Sequence, residues 1–204
     1  GFFSWAIPTG DTTRIGTWTK AELMNGLSSE QYLDKLLQDQ KINSRFRLCS
    51  EVARFCGPVP SGIVRKPLIE RVALFGDSAG VCKPTTGGGI GPGFNQVDLL
   101  VPRLSKSMEN NELSRGTMNS ISALLKEMAR NQRKKRALRD AFLTEMSDNE
   151  LERIFDVWAR PEVTDLINEF GDIENPIPLG IKMLREVPEF RRLAGRAAKA
   201  VLWG

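Results

Sequence analysis

The chain has 204 residues, of which 41% are hydrophobic and 26% are charged, so it can bury a core in one or two domains. Its net charge is +4, from 29 basic and 25 acidic residues. The first hundred residues hold 11 basic and 9 acidic side chains, which leaves 18 and 16 for the rest, so each part carries only +2. This balance argues against a disordered chain and against a broad nucleic-acid-binding half.

The chain has three cysteines, Cys49, Cys56 and Cys82, without any C-x-x-C spacing, and it has no histidine. We therefore expect a reduced, cytoplasmic compartment and no metal site. No apolar run approaches the roughly 20 residues of a membrane span, and we expect no signal peptide before the fold. Because the chain begins without Met and enters strand-like sequence at once, we expect a fragment whose earlier part is missing.

The first element is predicted to be a β-hairpin. Apolar residues alternate with small or polar ones over residues 3–8, a Thr-Gly-Asp turn signal follows at residues 9–11, and a second run covers residues 14–18. The alternation places Phe3, Trp5 and Ile7 on one face, and burial of that face is the ordinary outcome for strand aromatics.

A helix and a flexible connection follow the hairpin. Ser28 and Gln31 have the spacing of a capping box, which predicts an amphipathic helix to about Gln40. Residues 41–55 stay open, with a partly extended structure as one option. Residues 57–62 form a Pro/Gly-rich connection.

Residues 71–90 have the order of a strand, a loop and a helix start. A β-rich run breaks at Gly76-Asp77, and the loop passes Pro84 before three glycines precede Ile90. Because the glycines have no Cβ atoms, the main chain can lie against a flat or anionic ligand. The first N–H groups of the next helix would point at that ligand. Asp77 would accept hydrogen bonds from ligand hydroxyls. A Gly-rich surface turn capped by Asp77 is the alternative.

Three familiar sites can be tested on this stretch. Residues 76–80 match the G-x-S-x-G nucleophile elbow, but Ser78 has no histidine base anywhere in the chain. No Gly-Lys pair exists for a Walker-type loop, and no glycines meet the G-x-G-x-x-G spacing. Cys82 is predicted to be a small packing residue, with a redox or proton-donating thiol as the alternative.

The rest of the chain is predicted to be largely helical from Ser114 onward. Pro102 is expected to kink the preceding helix or to end it at Val101. Residues 126–139 contain seven basic residues and one Glu, which is typical of a solvated helix face and alternatively of contact with anionic headgroups. The predicted apolar stripe before this run is Ile121, Leu124, Leu125 and Met128.

Two further helices and an amphipathic tail are predicted at the end. Ser147 and Glu150 form a capping box for a helix that Pro161 terminates, and a second helix covers residues 162–170. The tail, residues 178–203, either docks on the domain or lies on a bilayer surface. Its apolar side carries Leu179, Met183, Leu184, Val187, Phe190, Leu193 and Ala197, interleaved with Arg191, Arg192, Arg196 and Lys199.

The glycine-rich set at residues 76–90 resembles the second FAD-contacting motif of the flavoprotein family that contains geranylgeranyl reductases and aromatic hydroxylases. The resemblance implies that the Gly-Asp pair meets the ribityl and pyrophosphate region and that the Pro-to-Gly loop runs beside the isoalloxazine ring. Helix-start amides would stabilise the anionic reduced flavin near N1 and O2. The implied FAD-binding residues are Gly76, Asp77, Gly80, Pro84, Gly87, Gly88, Gly89 and Ile90.

The hairpin is similar to a second motif of geranylgeranyl reductases, Tyr-x-Trp-x-Phe-Pro followed after seven or eight residues by Gly-x-Gly, on the sheet that lines the lipid pocket. Trp5, Pro8, Gly16 and the spacing match. Three positions depart from the motif and leave the substrate open, and Trp18 in place of a glycine would shorten or redirect the pocket. The implied substrate-binding residues are Phe3, Trp5, Ile7 and Pro8.

The resemblance extends to about Pro178, since the Phe-Gly-Asp-Ile segment at residues 170–173 is similar to the C-terminal region of archaeal geranylgeranyl reductases. Because the Gly-rich fingerprint for the ADP half is absent, the chain is identified as the C-terminal half of such an enzyme, similar to digeranylgeranylglycerophospholipid reductases. We expect an α+β fold in which residues 1–56 belong to a substrate-binding domain of sheet and helix. Residues 57–108 would complete an FAD-binding domain, and residues 109–204 would form a helical domain.

The implied function is FAD-dependent reduction of prenyl double bonds in membrane lipids or related isoprenoids. Hydride from N5 of reduced FAD would reach an alkene in an apolar tunnel, and an unassigned acid would add the proton. The implied partners are a prenyl lipid, the missing N-terminal FAD-binding half and a membrane surface, without nucleic acid. The fragment alone is expected to be inactive. An aromatic hydroxylase and a non-catalytic helical module that binds membranes or a partner are the alternatives.

Overall fold

The computed structural model describes residues 3–140, 144, 146–172, 175–191 and 195. Helices dominate and two small antiparallel sheets accompany them, which confirms the predicted α+β class. The chain divides into two compact units, Gly1–Pro58 and Val59–Gly204. The finer division into three domains, with a boundary at residue 108, stays a prediction.

The first unit opens with the predicted β-hairpin. β1, Phe3–Thr9, pairs antiparallel with β2, Thr12–Trp18, around a two-residue turn. Gly10, the first turn residue, has φ +69°, a left-handed conformation that glycine adopts without a steric penalty. The hairpin that the turn signal predicted is therefore present, with all seven residue pairs in register.

Two helices follow the hairpin in the first unit. α1, Ser29–Gln38, begins with the predicted capping box, in which the Ser28 and Gln31 side chains each accept the other residue's backbone N–H. Asp39 then separates α1 from α2, Gln40–Phe46, by accepting the N–H of Lys41 at 2.9 Å. Part of the stretch that the sequence left open is therefore helical.

The second unit contains the strand, loop and helix start in the predicted order. β3, Leu68–Ile69, and β4, Val72–Ala73, form a short hairpin that leads into a 3-10 turn, Gly76–Ala79. The loop then ends at Gly89, the residue before α3, Ile90–Glu109. Three more helical segments follow this long helix: α4, Arg115–Ser122, a 3-10 turn, Ala123–Leu125, and α5, Lys126–Arg139.

The core of this region forms where β3, α3, α4 and the following 3-10 turn meet. The predicted stripe contributes Ile121 and Leu125 as buried residues, with Leu124 and Met128 packed against them. Burial of these apolar side chains is the main stabilising force that holds the elements together. The buried cluster consists of Leu68, Leu100, Met118, Ile121 and Leu125.

Of the two outcomes predicted for Pro102, an end of the helix at Val101 is wrong, and a kink stays a prediction. α3 continues through Pro102 to Glu109. Proline removes one backbone N–H donor and crowds the preceding turn, which weakens a helix at that point. Here Leu100 is buried and Leu104 packs against the same core, so tertiary packing holds the helix on both sides of the proline.

Four short helices form a second cluster. α6, Asp148–Trp158, begins with the predicted capping box of Ser147 and Glu150. α7, Pro161–Phe170, starts at the proline that was predicted to terminate α6, which places that residue in the first turn where proline is tolerated. α8, Ile177–Glu186, and α9, Pro188–Arg191, follow.

The described part of the tail packs on this helical cluster. Met183, Val187 and Phe190 are buried together with Val157 of α6 and Val163 of α7. Docking on the domain is therefore the outcome for residues 178–191. The predicted positions Ile173, Arg192, Leu193, Arg196, Ala197 and Lys199 lie outside the described residues. None of the described helices is both long and apolar enough to span a bilayer.

Candidate functional site

The glycine loop, residues 76–89, turns sharply at its beginning. Gly76 and Gly80 have φ values of +59° and +75°, and a 3-10 turn lies between them. A Cβ at Gly80 would collide with the carbonyl of Gly62, whose N–H donates to the Gly80 carbonyl at 2.7 Å. A glycine is therefore required at position 80 by both conformation and close backbone approach.

The Pro/Gly-rich connection before the loop pairs with it. Ser61 forms an antiparallel bridge with Val81, and the N–H of Val64 donates to the Ala79 carbonyl at 3.1 Å. These bonds satisfy backbone groups that would otherwise be buried without a partner. The inner side of the loop is thus built into the second unit.

The end of the loop folds back on its beginning through Gly89. A Cβ at Gly89 would lie 2.9 Å from Asp77 Oδ1 and 3.4 Å from Cys82 Sγ. The absence of that atom lets the Cys82 thiol donate to Asp77 Oδ1 at 3.0 Å. The glycine at this position therefore allows the end of the loop to pack against its beginning, in addition to leaving backbone without a side chain.

Cys82 is a buried thiol. Burial, followed by the hydrogen bond to Asp77 and the charge of that carboxylate, raises the pKa of Cys82 to about 12. A thiol with so high a pKa forms little of the thiolate that attacks or is oxidised. With 2% of its surface exposed, Cys82 fits the packing role rather than the redox alternative.

Gln96 of α3 fixes the first turn of the loop. Its side-chain oxygen accepts the N–H of Gly76 at 2.9 Å, and its amide nitrogen donates to the Leu74 carbonyl at 3.0 Å. The side chain is fully buried. Because both ends of the amide are used, the turn cannot shift without leaving a buried polar group unsatisfied.

Gln132 of α5 fixes the middle of the loop. Its oxygen accepts the N–H of Ile63 at 2.9 Å, and its nitrogen donates to the carbonyls of Gly80 and Cys82 at 2.8 and 2.9 Å. One buried amide therefore joins three backbone groups from two chain segments. This arrangement holds the connection and the loop at a constant separation.

Arg139, at the end of α5, holds the proline of the loop. Its Nη1 donates to the Pro84 carbonyl at 2.8 Å, and its Nε and Nη2 pair with Asp140. Arg139 is 6% exposed. The three buried side chains Gln96, Gln132 and Arg139, which we call the loop clamp, thus hold the glycine loop from one side.

The prediction of a solvated face is wrong for part of α5. Arg139 is buried, and the Arg136 guanidinium lies so close to Gly62 that a Cβ there would be 2.5 Å from Nη2. Lys126, Arg130 and Arg133 are exposed, and headgroup contact of the basic run stays a prediction. The positive charge of α5 is therefore directed partly at the loop.

The other side of the glycine loop is open. Asp77, Ser78 and Gly88 are exposed, and Ile90 is 78% exposed. Gly89, the residue before α3, has no side chain and therefore does not cap the first N–H groups of the helix. The loop is therefore open at residues 77, 78 and 88, whereas Gly80 and Pro84 are buried, and its end adjoins the amino end of a 20-residue helix.

The chemistry of this surface fits the flavin assignment. Glycine backbone and the positive end of a helix dipole suit the flat, electron-rich edge of an isoalloxazine, while the N–H groups of Gly76, Gly80 and Gly87 already donate within the chain. Ser78 does not fit a hydrolase, because its Oγ donates to the Phe75 carbonyl at 2.7 Å and the chain has no histidine. Contact of the predicted residues with FAD stays a prediction.

A cleft lies behind the loop, on the clamp side. Its volume is about 460 Å³, and α3 and α5 form its walls. Its apolar surface includes Pro84, Leu99 and Met128, and its charged lining is balanced, with two carboxylates and two lysines: Asp98, Glu127, Lys83 and Lys135. The loop contributes Val81, Lys83 and Pro84 to the lining of this cleft.

The predicted substrate residues lie on the hairpin in the first unit. Trp5 covers Gly16 so closely that a Cβ there would overlap the indole ring. Phe3 contacts the rings of both Trp5 and Trp18, with centroids 5.8 and 5.7 Å away. The expectation of a fully buried face is wrong, because Phe3, Trp5 and Ile7 are 39%, 37% and 51% exposed.

Trp18 has a structural role that the motif comparison missed. Its ring meets Phe3 edge to face, so the residue that replaces the family's glycine extends the aromatic face by one ring. Pro8 pairs with Thr13 near the turn and is also exposed. The structure thus brings the four predicted substrate residues together on one exposed hairpin.

Sequence reasoning missed the loop clamp, although the pattern contained a signal. Gln96 interrupts an apolar stripe at Pro92 and Leu100, four residues away on each side. Gln132 and Arg139 likewise continue the stripe of Leu125 at seven-residue spacing. A polar residue on the buried face of an amphipathic helix usually has a specific partner, and here that partner is the loop.

Comparison with known proteins gives a consistent answer. An uncharacterized protein of Methanocaldococcus jannaschii is 26% identical over 193 residues, 91% of this chain and 46% of that protein. The digeranylgeranylglycerophospholipid reductase of the same organism is 24% identical over 155 residues, 76% of this chain and 39% of the enzyme. Digeranylgeranylglycerophospholipid reductase 3 of Methanosphaera stadtmanae is 26% identical over 170 residues, 81% and 41% of the two chains.

The chain spans less than half the length of these relatives. No family model and no solved structure matches it. The similarity nevertheless recurs among relatives with the same name and covers most of the chain, in agreement with the resemblance read from its two motifs. The chain is a distant relative of the digeranylgeranylglycerophospholipid reductases.

Proposed function

We propose that this chain is the C-terminal part of an FAD-dependent reductase that saturates prenyl double bonds of membrane lipids or related isoprenoids. The observation that carries the proposal is the glycine loop, which is held from one side by the loop clamp and open on the other. The names of the relatives support the reductase class. Together they favour a redox site over a surface turn.

The flavin-holding residues would come from the two ends of the loop. Gly76, Asp77 and Gly80 would meet the ribityl and pyrophosphate region, and Pro84 with residues 87–90 would border the ring. The bond from Cys82 uses only one oxygen of Asp77, whose side chain is exposed. Asp77 therefore retains accepting capacity for ribityl hydroxyls.

Reduced FAD, when bound, supplies the hydride for alkene reduction. The chain's own contribution is to keep the loop backbone in one position, since a displacement of about 1 Å can cost on the order of a hundredfold in rate. The loop clamp performs this task with buried hydrogen bonds on three successive parts of the loop. The amino end of α3 stabilises negative charge near Gly89.

The hairpin would form part of the prenyl wall. Phe3, Trp5 and Ile7 share an apolar and aromatic face with Trp18, Arg14 pairs with Ile7 at the turn end of that face, and Pro8 lies on the opposite face of the strand. Such a face suits an unbranched or methyl-branched hydrocarbon, which gains its binding free energy from removal of apolar surface from water. The proton donor stays unassigned.

A chimera tests the proposal. This chain replaces the matched residues of the Methanosphaera stadtmanae reductase, and the purified protein is examined for a visible flavin spectrum. Chemically reduced chimera is then incubated with a geranylgeranyl lipid, and we expect a mass gain of two hydrogens per double bond.

The Asp77→Ala chimera should lose flavin on gel filtration. The control is Asp98→Ala, which removes a carboxylate from α3 and should leave flavin bound. A chimera that is folded and monomeric but free of flavin would refute the cofactor assignment. Retention of flavin without any lipid reduction would refute the substrate assignment alone.

A further inference from the structure

The aromatic side of the hairpin changes character along its length. In an antiparallel pair, residues directly opposite each other place their side chains on the same side of the sheet. Four such pairs make up this side, which we call the hairpin face: Phe3–Trp18, Trp5–Gly16, Ile7–Arg14 and Thr9–Thr12. The first three pairs span about 13 Å along the strands. The hairpin face therefore begins with aromatic rings and ends with polar groups at the turn.

The ring end of the hairpin face is narrow. Trp18 contacts Phe3 edge to face, with the ring centroids 5.7 Å apart. Trp5 lies over Gly16. The similar motif of the reductases has a glycine where this chain has Trp18, so one further ring occupies the face here. Because the two strands lie only about 5 Å apart, the rings form a track for one hydrocarbon chain at a time.

The turn end of the hairpin face carries hydrogen-bond donors. The Oγ1 atoms of Thr9 and Thr12 lie 2.9 Å apart, and each lies 3.3 Å from the carbonyl oxygen of the other residue. These hydroxyls are therefore engaged with the turn. The exposed side chain of Arg14 forms no hydrogen bond or ion pair with another residue in the described part of the chain. Its guanidinium donors are thus available to a ligand.

The charge of the hairpin indicates the chemistry of such a ligand. Residues 3–18 contain two charged side chains, Asp11 in the turn and Arg14 in β2. Asp11 lies outside the paired residues, so Arg14 provides the charge of the hairpin face. Arginine binds phosphate oxygens through two parallel hydrogen bonds. An apolar track that ends at a guanidinium therefore favours a hydrocarbon with a phosphate at one end.

We propose that Arg14 determines head-group specificity: it pairs with the phosphate of a single-chain isoprenoid phosphate whose hydrocarbon lies on the rings of the hairpin face. The proposal rests on the proposed function, since the hairpin must hold the prenyl chain. It adds the direction of that chain, with the phosphate at the turn and the hydrocarbon end toward Phe3 and Trp18. The unpaired charge favours this ligand over a neutral isoprenoid, and the single row of rings favours it over a two-chain lipid.

A matched pair of ligands tests the role of Arg14. Geranylgeranyl phosphate and geranylgeraniol differ only in the phosphate, and each is titrated into this chain by calorimetry below its micellar concentration. The phosphate should bind roughly tenfold more tightly than the alcohol, and Arg14→Gln should remove that preference. Arg14→Lys keeps the charge and should restore part of it. Lys41→Gln, which removes an exposed charge from α2, should leave both dissociation constants unchanged.

The pattern of binding separates this proposal from the proposed function. Equal affinity for the two ligands, with backbone amide resonances of residues 3–18 shifted by both, would overturn the role of Arg14 and leave the prenyl wall in place. Binding of neither ligand would overturn the prenyl wall and this proposal together. A preference for the phosphate that survives Arg14→Gln would assign head-group recognition to other residues, which contradicts the proposal.

Two further measurements give independent readouts. In the chimera described above, Arg14→Gln should raise the KM for geranylgeranyl phosphate roughly tenfold with little change in kcat, because the head group is bound equally in the ground and transition states. A decrease in kcat without a change in KM would contradict a role in binding.

Phosphatidylcholine vesicles that contain digeranylgeranylglycerol phosphate present the same phosphate on two chains. This chain and its Arg14→Gln variant should sediment equally with them. Sedimentation that requires Arg14, without an effect of Arg14 on the soluble ligand, would assign the residue to a lipid head group and would overturn the single-chain assignment.

Discussion

The glycine loop and the aromatic hairpin resemble the same enzyme family by their motifs, yet different interactions hold them. The hairpin depends on local pairing: its turn, its register and the contacts of Trp5 with Gly16 all join residues within 16 positions of each other. The loop depends on side chains from far along the sequence, since Gln132 and Arg139 act on residues 52 and 55 positions earlier.

This difference teaches where each region is vulnerable. A hairpin with local contacts loses a fraction of its stability when one contact is removed. A loop held by buried polar groups leaves unsatisfied donors and acceptors when one partner is removed, which costs more than the net value of the bonds. The predictions below test this comparison.

The largest effect is expected from Gly80→Ala. The new Cβ would occupy a left-handed conformation and collide with the Gly62 backbone, at a cost of about 3 kcal/mol in unfolding free energy. Gly76→Ala is the matched control, because its φ is also positive but open space surrounds it, so about 1 kcal/mol is expected. Urea titration measures both, and equal losses would contradict the close approach.

Gln132→Leu should follow, with a loss of about 2 kcal/mol in unfolding free energy, because the Ile63 N–H and the Cys82 carbonyl lose this partner and the Gly80 carbonyl keeps only the Gly62 N–H. The backbone amide of Ile63 should then exchange with solvent faster by hydrogen–deuterium exchange. Asn131→Leu, at an exposed neighbouring position, should leave both quantities near wild type. Unchanged protection at Ile63 in the Gln132 variant would show that the clamp is not a stabilising contact.

Cys82 should make stability depend on alkaline pH. Its pKa is raised from 9.0 to about 12 in the folded chain, so the unfolded chain releases this proton first and stability falls as pH rises between those values. Near pH 10 the loss should be about 1 kcal/mol. Subtracting the pH profile of Cys82→Ala isolates this contribution from those of Lys and Tyr, and parallel profiles would show that the thiol titrates normally.

Trp5→Ala should have the smallest effect. Removal of the ring uncovers Gly16 and removes the contact with the Phe3 ring. We expect the free energy of unfolding to fall by about 0.5 kcal/mol, the usual contribution of a cross-strand pair. Amide exchange should increase within residues 3–18 and stay constant in the glycine loop. Ile7→Ala is the control at a position with greater exposure and should change exchange less. Faster exchange in the loop after Trp5→Ala would break the comparison between the two regions.

Much of the local structure was predictable because its causes lie within a few residues. The Thr9–Asp11 turn signal and the Ser28 and Ser147 capping boxes each act over three or four positions, and each occurs where predicted. The strand before Gly76 is present but covers only Val72–Ala73. The predicted end of α3 at Val101 failed because the local effect of Pro102 opposes the packing of Leu100 and Leu104, and the packing is stronger.

The candidate site was predictable only in part. The glycines could be recognised, because their spacing is a property of the chain. The clamp could not, since Gln96, Gln132 and Arg139 are ordinary polar residues until the helices that carry them pack beside the loop. The partial exposure of Phe3, Trp5 and Ile7 could not be predicted either, because alternation shows only that the three residues share a face.

Local chemistry in the chain thus specified a hairpin, capped helices and a glycine-rich turn, because backbone conformation and capping depend on near neighbours. Three-dimensional packing alone decided that a basic helix holds the turn from behind, that a proline lies within α3, and that one side of α3 is left uncovered. The reason is that burial and hydrogen-bond satisfaction depend on contacts between distant residues, which no local pattern records.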